Sequence, residues 1–225
     1  MSDATCWTLV RDAAAGSPAA REQFTRRYLS IVQSFLHARW QGRPIHEDLE
    51  DAVQEVFIEC LKDDGALSRV ELRPAAGFRT YLQALTRNVA RRHEERGAQR
   101  LDAQASGASH LDQVPADDTS ASRVFDRAWA EALVAEASQR FEQAQASESP
   151  AGARRVELLR ACIREGRGVT ELAREWEVEP AWLHREYGRA LRGFETALRE
   201  VVAFHHPGEP EAVERECREL LALVQ

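Results

Sequence analysis

Apolar side chains recur every three or four residues along most of the chain, the spacing that gathers them on one side of an α-helix. The clearest amphipathic segment runs from Glu47 to Lys62, with apolar positions at Leu49, Ala52, Val53, Val56, Phe57, Cys60 and Leu61. Prolines and glycines cluster between such segments, which do not alternate as strands do. The pattern predicts an all-α protein.

The same spacing predicts helices on both sides of this acidic segment. One runs over 5–15, and a second begins after Ser17 and Pro18 and continues to about Trp40. Serine followed by proline suits a helix start, because the hydroxyl caps a backbone N–H and proline fits the first turn. A further helix starts at Phe78 after a loop rich in glycine and proline.

Two small helical domains, over 1–100 and 122–202, are predicted to be joined by a flexible linker over 101–121. The linker has few large apolar residues and no sustained period, so it cannot bury a core of its own. Residues 203–225 form a C-terminal extension with the spacing of one more helix. That helix is expected to pack on the second domain or to make a regulatory contact with the first.

The second domain has the order of helices and turn residues that is typical of a helix-turn-helix. After helices over 123–146 and 154–165, a short helix over 169–176 is followed by a turn that ends at Pro180, and a longer helix begins near Ala181. The arginines on the side of this last helix opposite its apolar stripe are Arg185, Arg189 and Arg192. This face is suited to contact DNA.

Charge is unevenly distributed along the chain. The formal net charge of -7 argues against polyanion binding by the whole surface. Between Phe78 and Arg100, however, six arginines stand against two glutamates. Arg87 and Arg91 project with Thr80 from the side opposite the apolar stripe, which gives a surface suited to phosphate. A solvated charged face is the alternative.

The outward face of the 47–62 segment carries acids and one isoleucine. Asp51, Gln54, Glu55 and Ile58 fall opposite the apolar stripe, where Ile58 meets water unless a partner covers it. Single exposed apolar residues are common in proteins. The face therefore indicates a docking helix without excluding an ordinary solvated surface.

Several function classes find no support in the sequence. No apolar run approaches the ~20 residues of a membrane span, and the N-terminus lacks the order of a signal peptide, so a cytoplasmic protein without membrane contact is expected. The four cysteines have no metal-site spacing and are expected to be reduced core thiols. His205 and His206 are assigned to helix capping and surface polarity. No catalytic motif, cofactor or metal is expected.

The order of these parts resembles a bacterial RNA polymerase sigma factor of the extracytoplasmic-function class. The sequence EDAVQEVFIECL, from Glu50 to Leu61, is similar to the helix with which the family binds polymerase. FRTYLQALTRNVARRHEER, starting at Phe78, is similar to its promoter-opening helix. ELAREWEVEPAWLHREYGRAL, from Glu171 to Leu191, follows its helix-turn-helix less closely. The C-terminal extension is absent from minimal members of the class.

The resemblance implies a role in transcription initiation, with core RNA polymerase (β and β′ subunits) and promoter DNA as partners and an anti-sigma factor as a further candidate. The residues implied for polymerase binding are Asp51, Gln54, Glu55 and Ile58. Those implied to lie near the melted minus-10 strand are Arg87, Asn88 and Arg91. Those implied at the minus-35 element are Trp182, Arg185, Arg189 and Arg192.

Two residues depart from the family pattern in the last helix. Trp182 stands where a small hydroxyl residue is common, and Glu186 stands where arginine is usual. Glutamate can accept a hydrogen bond from cytosine N4, but it also repels phosphate. A stand-alone helix-turn-helix regulator, which needs only the last basic face, and a helical protein-interaction module remain the alternatives.

Overall fold

The structure, a computed structural model, describes residues 5–61, 77–104, 118–148, 150–206 and 208–224. Over these ranges the chain is helical, with no strand, so the all-α prediction is confirmed. Most of the predicted linker and of the loop predicted over 63–77 lies outside the described residues, as does Lys62.

The described residues form nine α-helices and one 3-10 helix. The bounds are α1 Cys6–Ala14, α2 Pro18–Trp40, the 3-10 helix Pro44–Asp48, α3 Leu49–Leu61, α4 Gly77–Gln104, α5 Asp118–Glu148, α6 Pro150–Arg164, α7 Val169–Glu175, α8 Pro180–His205 and α9 Pro210–Val224. The helices α4 and α5 thus extend into both ends of the predicted linker.

Helix starts follow the local signals in the sequence. Thr5 caps α1 in a capping box with Thr8, and the Ser17 side chain accepts a hydrogen bond from the backbone N–H of Ala20 at the start of α2. Helix α6 starts at Pro150, earlier than the predicted residue 154. Gly152 permits this start, because a Cβ there would overlap the carbonyl oxygen of Gln145.

The chain divides into two compact units, the first comprising 1–132, 204–207 and 222–225. Its core is aromatic, and its largest fully buried side chains are Phe24, Tyr28, Phe35, Trp40, Phe78 and Phe125. The first half of α5, assigned by sequence to the second domain, belongs here. Phe125 packs edge-on against Phe35 with ring centroids 6.0 Å apart, and Trp129 stacks on Tyr28 at 5.9 Å.

His205, expected at the surface, is instead part of the core of the first unit, so that expectation is wrong. Its side chain is 4% exposed, and its Nδ1 lies 3.2 Å from the Tyr28 hydroxyl. The Cys6 thiol donates a hydrogen bond to the His205 carbonyl oxygen. Burial raises the pKa of Cys6 to about 12, as expected of a reduced core thiol.

The second unit comprises 133–203 and 208–221. One cluster of its core is formed by Leu158, Ala161, Leu172, Ala173 and Leu183, and another by Phe141, Leu159, Ala190 and Ala197. The turn between α7 and α8 is closed by a hydrogen bond from the Val178 N–H to the Ala173 carbonyl oxygen. Arg199 of α8 donates to Glu214 of α9 at 2.8 Å, so the predicted C-terminal helix contacts α8.

None of the helices in the described part of the chain combines the length and the apolar character that a membrane crossing requires.

Candidate functional site

The outward face of α3 is open to solvent, as the apolar pattern indicates. The opposite side of the helix is packed into the first unit through Ala52, Val53, Val56, Phe57 and Cys60. Asp51 and Gln54 are exposed, and the Ile58 side chain is 61% exposed. Packing of one side therefore fixes a polar row with a large apolar residue at its C-terminal end.

Glu55, predicted to belong to this docking row, is instead held within the chain. Its carboxylate lies 2.8 Å from His93 Nε2, 2.7 Å from Arg96 Nη2 and 3.0 Å from Arg92 Nη2, all on α4. Burial acts to raise the pKa of Glu55, but the hydrogen bonds from Arg96 and His93 and the nearby guanidinium charges lower it overall. Glu55 is thus ionised and already neutralised before any partner arrives.

A surface cleft beside Asp51 carries charges of both signs. Its walls are formed by Asp48, Asp51, His93, Arg96, Gln99 and Arg100. Arg100 Nη2 donates to Asp48 Oδ2 at 2.6 Å across this surface. The acidic face of α3 and the C-terminal arginines of α4 therefore form one mixed-charge surface, not an acidic patch separate from a basic one.

Several arginines of α4 contact side chains of neighbouring helices. Arg79 pairs with Asp126 of α5 at 2.7 Å, and Arg87 Nη2 donates to the Ser122 hydroxyl at 3.0 Å. Toward the C-terminal end of α4, Arg92 pairs with carboxylates of α3. The local excess of positive charge is therefore largely compensated by neighbouring helices, which the sequence alone could not reveal.

Asn88 and Arg91 are exposed, whereas Arg87, predicted to act with them, is half-buried beside α5. Thr80 and Ala84 lie on the same exposed side, about two turns and one turn before Asn88, respectively. This row presents an amide, a guanidinium and a hydroxyl group at the surface. It contains no aromatic side chain on which a base could stack.

On α8, Arg185, Arg189 and Arg192 are exposed, as predicted. Trp182 is half-buried against the core, and its ring centroid lies 5.9 Å from the guanidinium carbon of Arg154 on α6. The cation and the indole face are within the range of a cation–π contact. Arg154 thereby adds a cation from outside the predicted helix-turn-helix.

Glu186 does not face outward. It is therefore not placed to accept a hydrogen bond from a cytosine or to repel a phosphate, the two roles considered from the sequence. The residue is 5% exposed, and its carboxylate accepts hydrogen bonds from Arg155 Nε at 2.7 Å and from Arg189 Nη1 at 2.5 Å. The sequence reading overlooked Arg155, although a buried carboxylate requires such a partner. Glu186 thus stabilises α8 from inside and holds Arg189 on the exposed side.

The acid at the start of α8 is Glu179, which sequence reasoning did not single out. Its carboxylate accepts hydrogen bonds from the backbone N–H groups of Ala181 at 3.0 Å and Trp182 at 2.6 Å. An acid at a helix N-terminus is favoured by the helix dipole. The signal available in the sequence was the position just before Pro180, because proline is common at the first helical residue and the residue before it is the N-cap.

His93 is a second residue that the sequence reading passed over. It falls four residues after Val89 and seven after Thr86, both buried, so its place on the inner side of α4 was readable from the period. Its partner Glu55 was not readable, because the pairing depends on how α3 crosses α4. In the described residues no group of three or more histidine, cysteine or carboxylate side chains is arranged to hold a metal ion.

Comparisons with protein families, with curated proteins and with solved structures found no match to this chain.

Proposed function

We propose that the chain is a transcription initiation factor that binds core RNA polymerase and directs it to promoters. The observation that carries this proposal is Ile58, 61% exposed in line with exposed Asp51 and Gln54 on a helix whose other side is packed. Full burial of an isoleucine is worth roughly 1.5–3 kcal/mol. A partner surface that covers Ile58 would gain this burial free energy. A cation on the same surface would in addition form an ion pair with Asp51.

In this proposal α3 docks on the β′ subunit through Asp51, Gln54 and Ile58. Glu55 has a supporting role: it keeps α4 alongside α3, because its carboxylate contacts Arg92, His93 and Arg96 of α4. Docking of α3 then brings α4 to the DNA on the polymerase. Polymerase performs the chemistry, so this chain requires no catalytic residue or cofactor.

The exposed row of α4 is proposed to hold the melted minus-10 strand. Arg91 supplies a cation for a phosphate, and Asn88 supplies donors and an acceptor for a base edge or a sugar. In the absence of an aromatic side chain in this row, the contact is with the backbone more than with stacked bases. Discrimination between bases is therefore assigned elsewhere in the assembly.

The second unit is proposed to contact upstream duplex DNA. Helices α7 and α8 with the intervening turn have the order of a helix-turn-helix, and α8 exposes Arg185 and Arg192. An anti-sigma factor would compete for the same exposed faces, and the place of action would be the cytoplasm, where the polymerase is.

A stand-alone DNA-binding regulator is the second candidate. It is favoured by the contrast between α4, whose Arg79 and Arg92 are paired with carboxylates of neighbouring helices, and α8, whose Arg185 is exposed. Such a regulator needs only α8, but it leaves the exposed Ile58 without a partner. Binding to polymerase separates the two candidates.

The test is co-migration of the purified protein with bacterial core RNA polymerase in size-exclusion chromatography. We expect wild-type protein to co-migrate and Asp51→Arg to elute separately with an unchanged circular dichroism spectrum, because only an exposed side chain is altered. Asp12→Arg, an equal charge change at an exposed position of α1, is the matched control and should co-migrate. Co-migration of Asp51→Arg, or failure of the wild type, would contradict the proposal.

A further inference from the structure

The start of α5 lies against the basic helix α4 within the first unit. Asp126 Oδ1 lies 2.7 Å from Arg79 Nη2, and the Ser122 hydroxyl accepts from Arg87 Nη2 at 3.0 Å. At 1.5 Å of rise per residue, the arginines are about 12 Å apart along α4 and their partners about 6 Å apart along α5. The long guanidinium side chains span the difference and converge on α5.

This placement is fixed by the core. Ala121, Phe125 and Trp129 are at most 2% exposed and alternate along α5 with Ser122 and Asp126. Because the apolar residues anchor one side of the helix, the polar pair is held beside α4 at a defined register. The Arg79–Asp126 pair itself is only partly buried, with side chains 28% and 32% exposed, so solvent and solutes reach it.

A carboxylate and a phosphate present similar oxygens to a guanidinium, and arginine binds both in the same fork geometry. A phosphate that reaches Arg79 must therefore replace an oxygen of Asp126 or share the arginine with a like charge. We propose that Ser122 and Asp126 compete with the phosphates of single-stranded nucleic acid for Arg87 and Arg79. The start of α5 thus lowers the affinity of α4 for the strand.

In this competition side chains exchange partners and the helices keep their positions. Phe125 and Trp129 remain buried while Asp126 exchanges its partner, so α5 does not unfold when a strand binds. Exposed ion pairs are weak, and an effect of about three- to five-fold on affinity is expected from the loss of one such competitor. This inference rests on the proposed function, since it deepens the role of α4 as the surface that holds the melted strand.

The consequence is that the free factor binds single strands poorly, which restricts strand capture to a complex that supplies a high local concentration of melted DNA. The net charge of -7 acts in the same direction. Asp126 adds to this general effect of charge a direct contact with Arg79 of α4.

Asp126→Asn tests the inference with the full-length protein and a fluorescein-labelled single-stranded DNA of about 12 nucleotides, measured by fluorescence anisotropy at about 50 mM salt. We expect the affinity to rise three- to five-fold and the salt slope to steepen by about 0.7, the value for one additional phosphate contact on a single strand. The combination Asp126→Asn with Arg79→Ala should lose this gain, since the gain passes through Arg79.

Glu131→Gln is the matched control. Glu131 is exposed on the same helix and pairs with Arg127 of α5 at 2.9 Å, so the substitution makes the same charge change without altering a contact to an arginine of α4. The affinity of Glu131→Gln for the labelled single strand should stay within two-fold of the wild-type value. Thermal melts followed by circular dichroism verify that both variants fold.

Equal affinities for Asp126→Asn and Glu131→Gln would overturn the inference, because the gain would then be one of net charge alone. Absence of binding by Asp126→Asn would overturn it too, since Arg79 would then not hold a strand even with the Asp126 charge removed. Neither result touches polymerase docking. Loss of co-migration with core polymerase, by contrast, would remove the proposed function while a specific gain in Asp126→Asn still stood.

Discussion

The Glu94 carboxylate accepts two hydrogen bonds from the Arg39 guanidinium, at 2.8 Å from Nε and 2.9 Å from Nη2, and so ties the end of α2 to α4. Trp40 Nε1 donates to the same carboxylate at 2.9 Å, and Arg43 lies 3.3 Å away. The Arg39 side chain is only 4% exposed. This cluster holds in place the helix that carries Asn88 and Arg91.

Glu94→Ala should destabilise the protein strongly, because it leaves the Arg39 guanidinium buried with its principal partner removed. Loss of one member of a buried pair typically costs about 3–5 kcal/mol. Urea unfolding followed by circular dichroism measures the difference. Glu95→Ala, at the exposed neighbouring position, is the control and should change the free energy of unfolding by less than about 0.5 kcal/mol. Similar values for both variants would contradict the buried-pair assignment.

The same cluster predicts a loss of stability in acid. Burial acts to raise the pKa of Glu94, but the hydrogen bonds from Arg39 and Trp40 and the guanidinium charges lower it below the ordinary value of 4.5. A lowered folded-state pKa contributes stability that is fully present above the unfolded pKa and is lost as pH falls through the folded one. The free energy of unfolding should therefore fall below about pH 5, and fall less steeply in Glu94→Gln. Parallel pH profiles would argue against this role.

Two glycines of α8 should respond oppositely to alanine. At Gly193 a Cβ would lie 2.9 Å from Phe141 Cε2, so Gly193→Ala should cost about 1–3 kcal/mol through overpacking. At Gly188 the nearest atom is the end of the Arg192 side chain, at 3.5 Å, and Gly188→Ala should stabilise by about 0.5–1 kcal/mol through helix propensity. The melting temperature should fall in Gly193→Ala and rise in Gly188→Ala relative to the wild type. A shift of the same sign in both variants would contradict this prediction.

The sequence pattern was sufficient where the deciding interaction is local. In α2 the residues Phe24, Tyr28, Ile31, Val32 and Phe35 recur with the period of one helix side, and each is 0% exposed. The exposed Ile58 followed from the same geometry on α3. These positions depend only on which side of a helix a residue occupies, and residue spacing fixes that side.

Long-range partners were beyond the sequence pattern. Glu55 was assigned to an outer face, but two arginines and a histidine of α4, about forty residues away, hold its carboxylate against that helix. Burial of Phe125 was readable from its period, whereas its contact with Phe35 across ninety residues was not. An amphipathic period predicts which side of a helix is buried, but it does not identify the helix that packs against that side. For the same reason the pairing of Arg79 with Asp126 emerged only from the fold.

Arg185→Ala tests whether α8 meets upstream duplex DNA. Arg185 is exposed, and no ion pair engages it in the described residues, so its loss should leave the fold unchanged. If the arginine contacts one phosphate, the affinity for duplex promoter DNA should fall and the salt slope should decrease by about one. Arg164→Ala, an equal charge change at an exposed position of α6, should leave the slope unaltered. An identical slope in both variants and the wild type would remove Arg185 from the DNA interface and leave Arg192 and Arg154 as the cations to examine next.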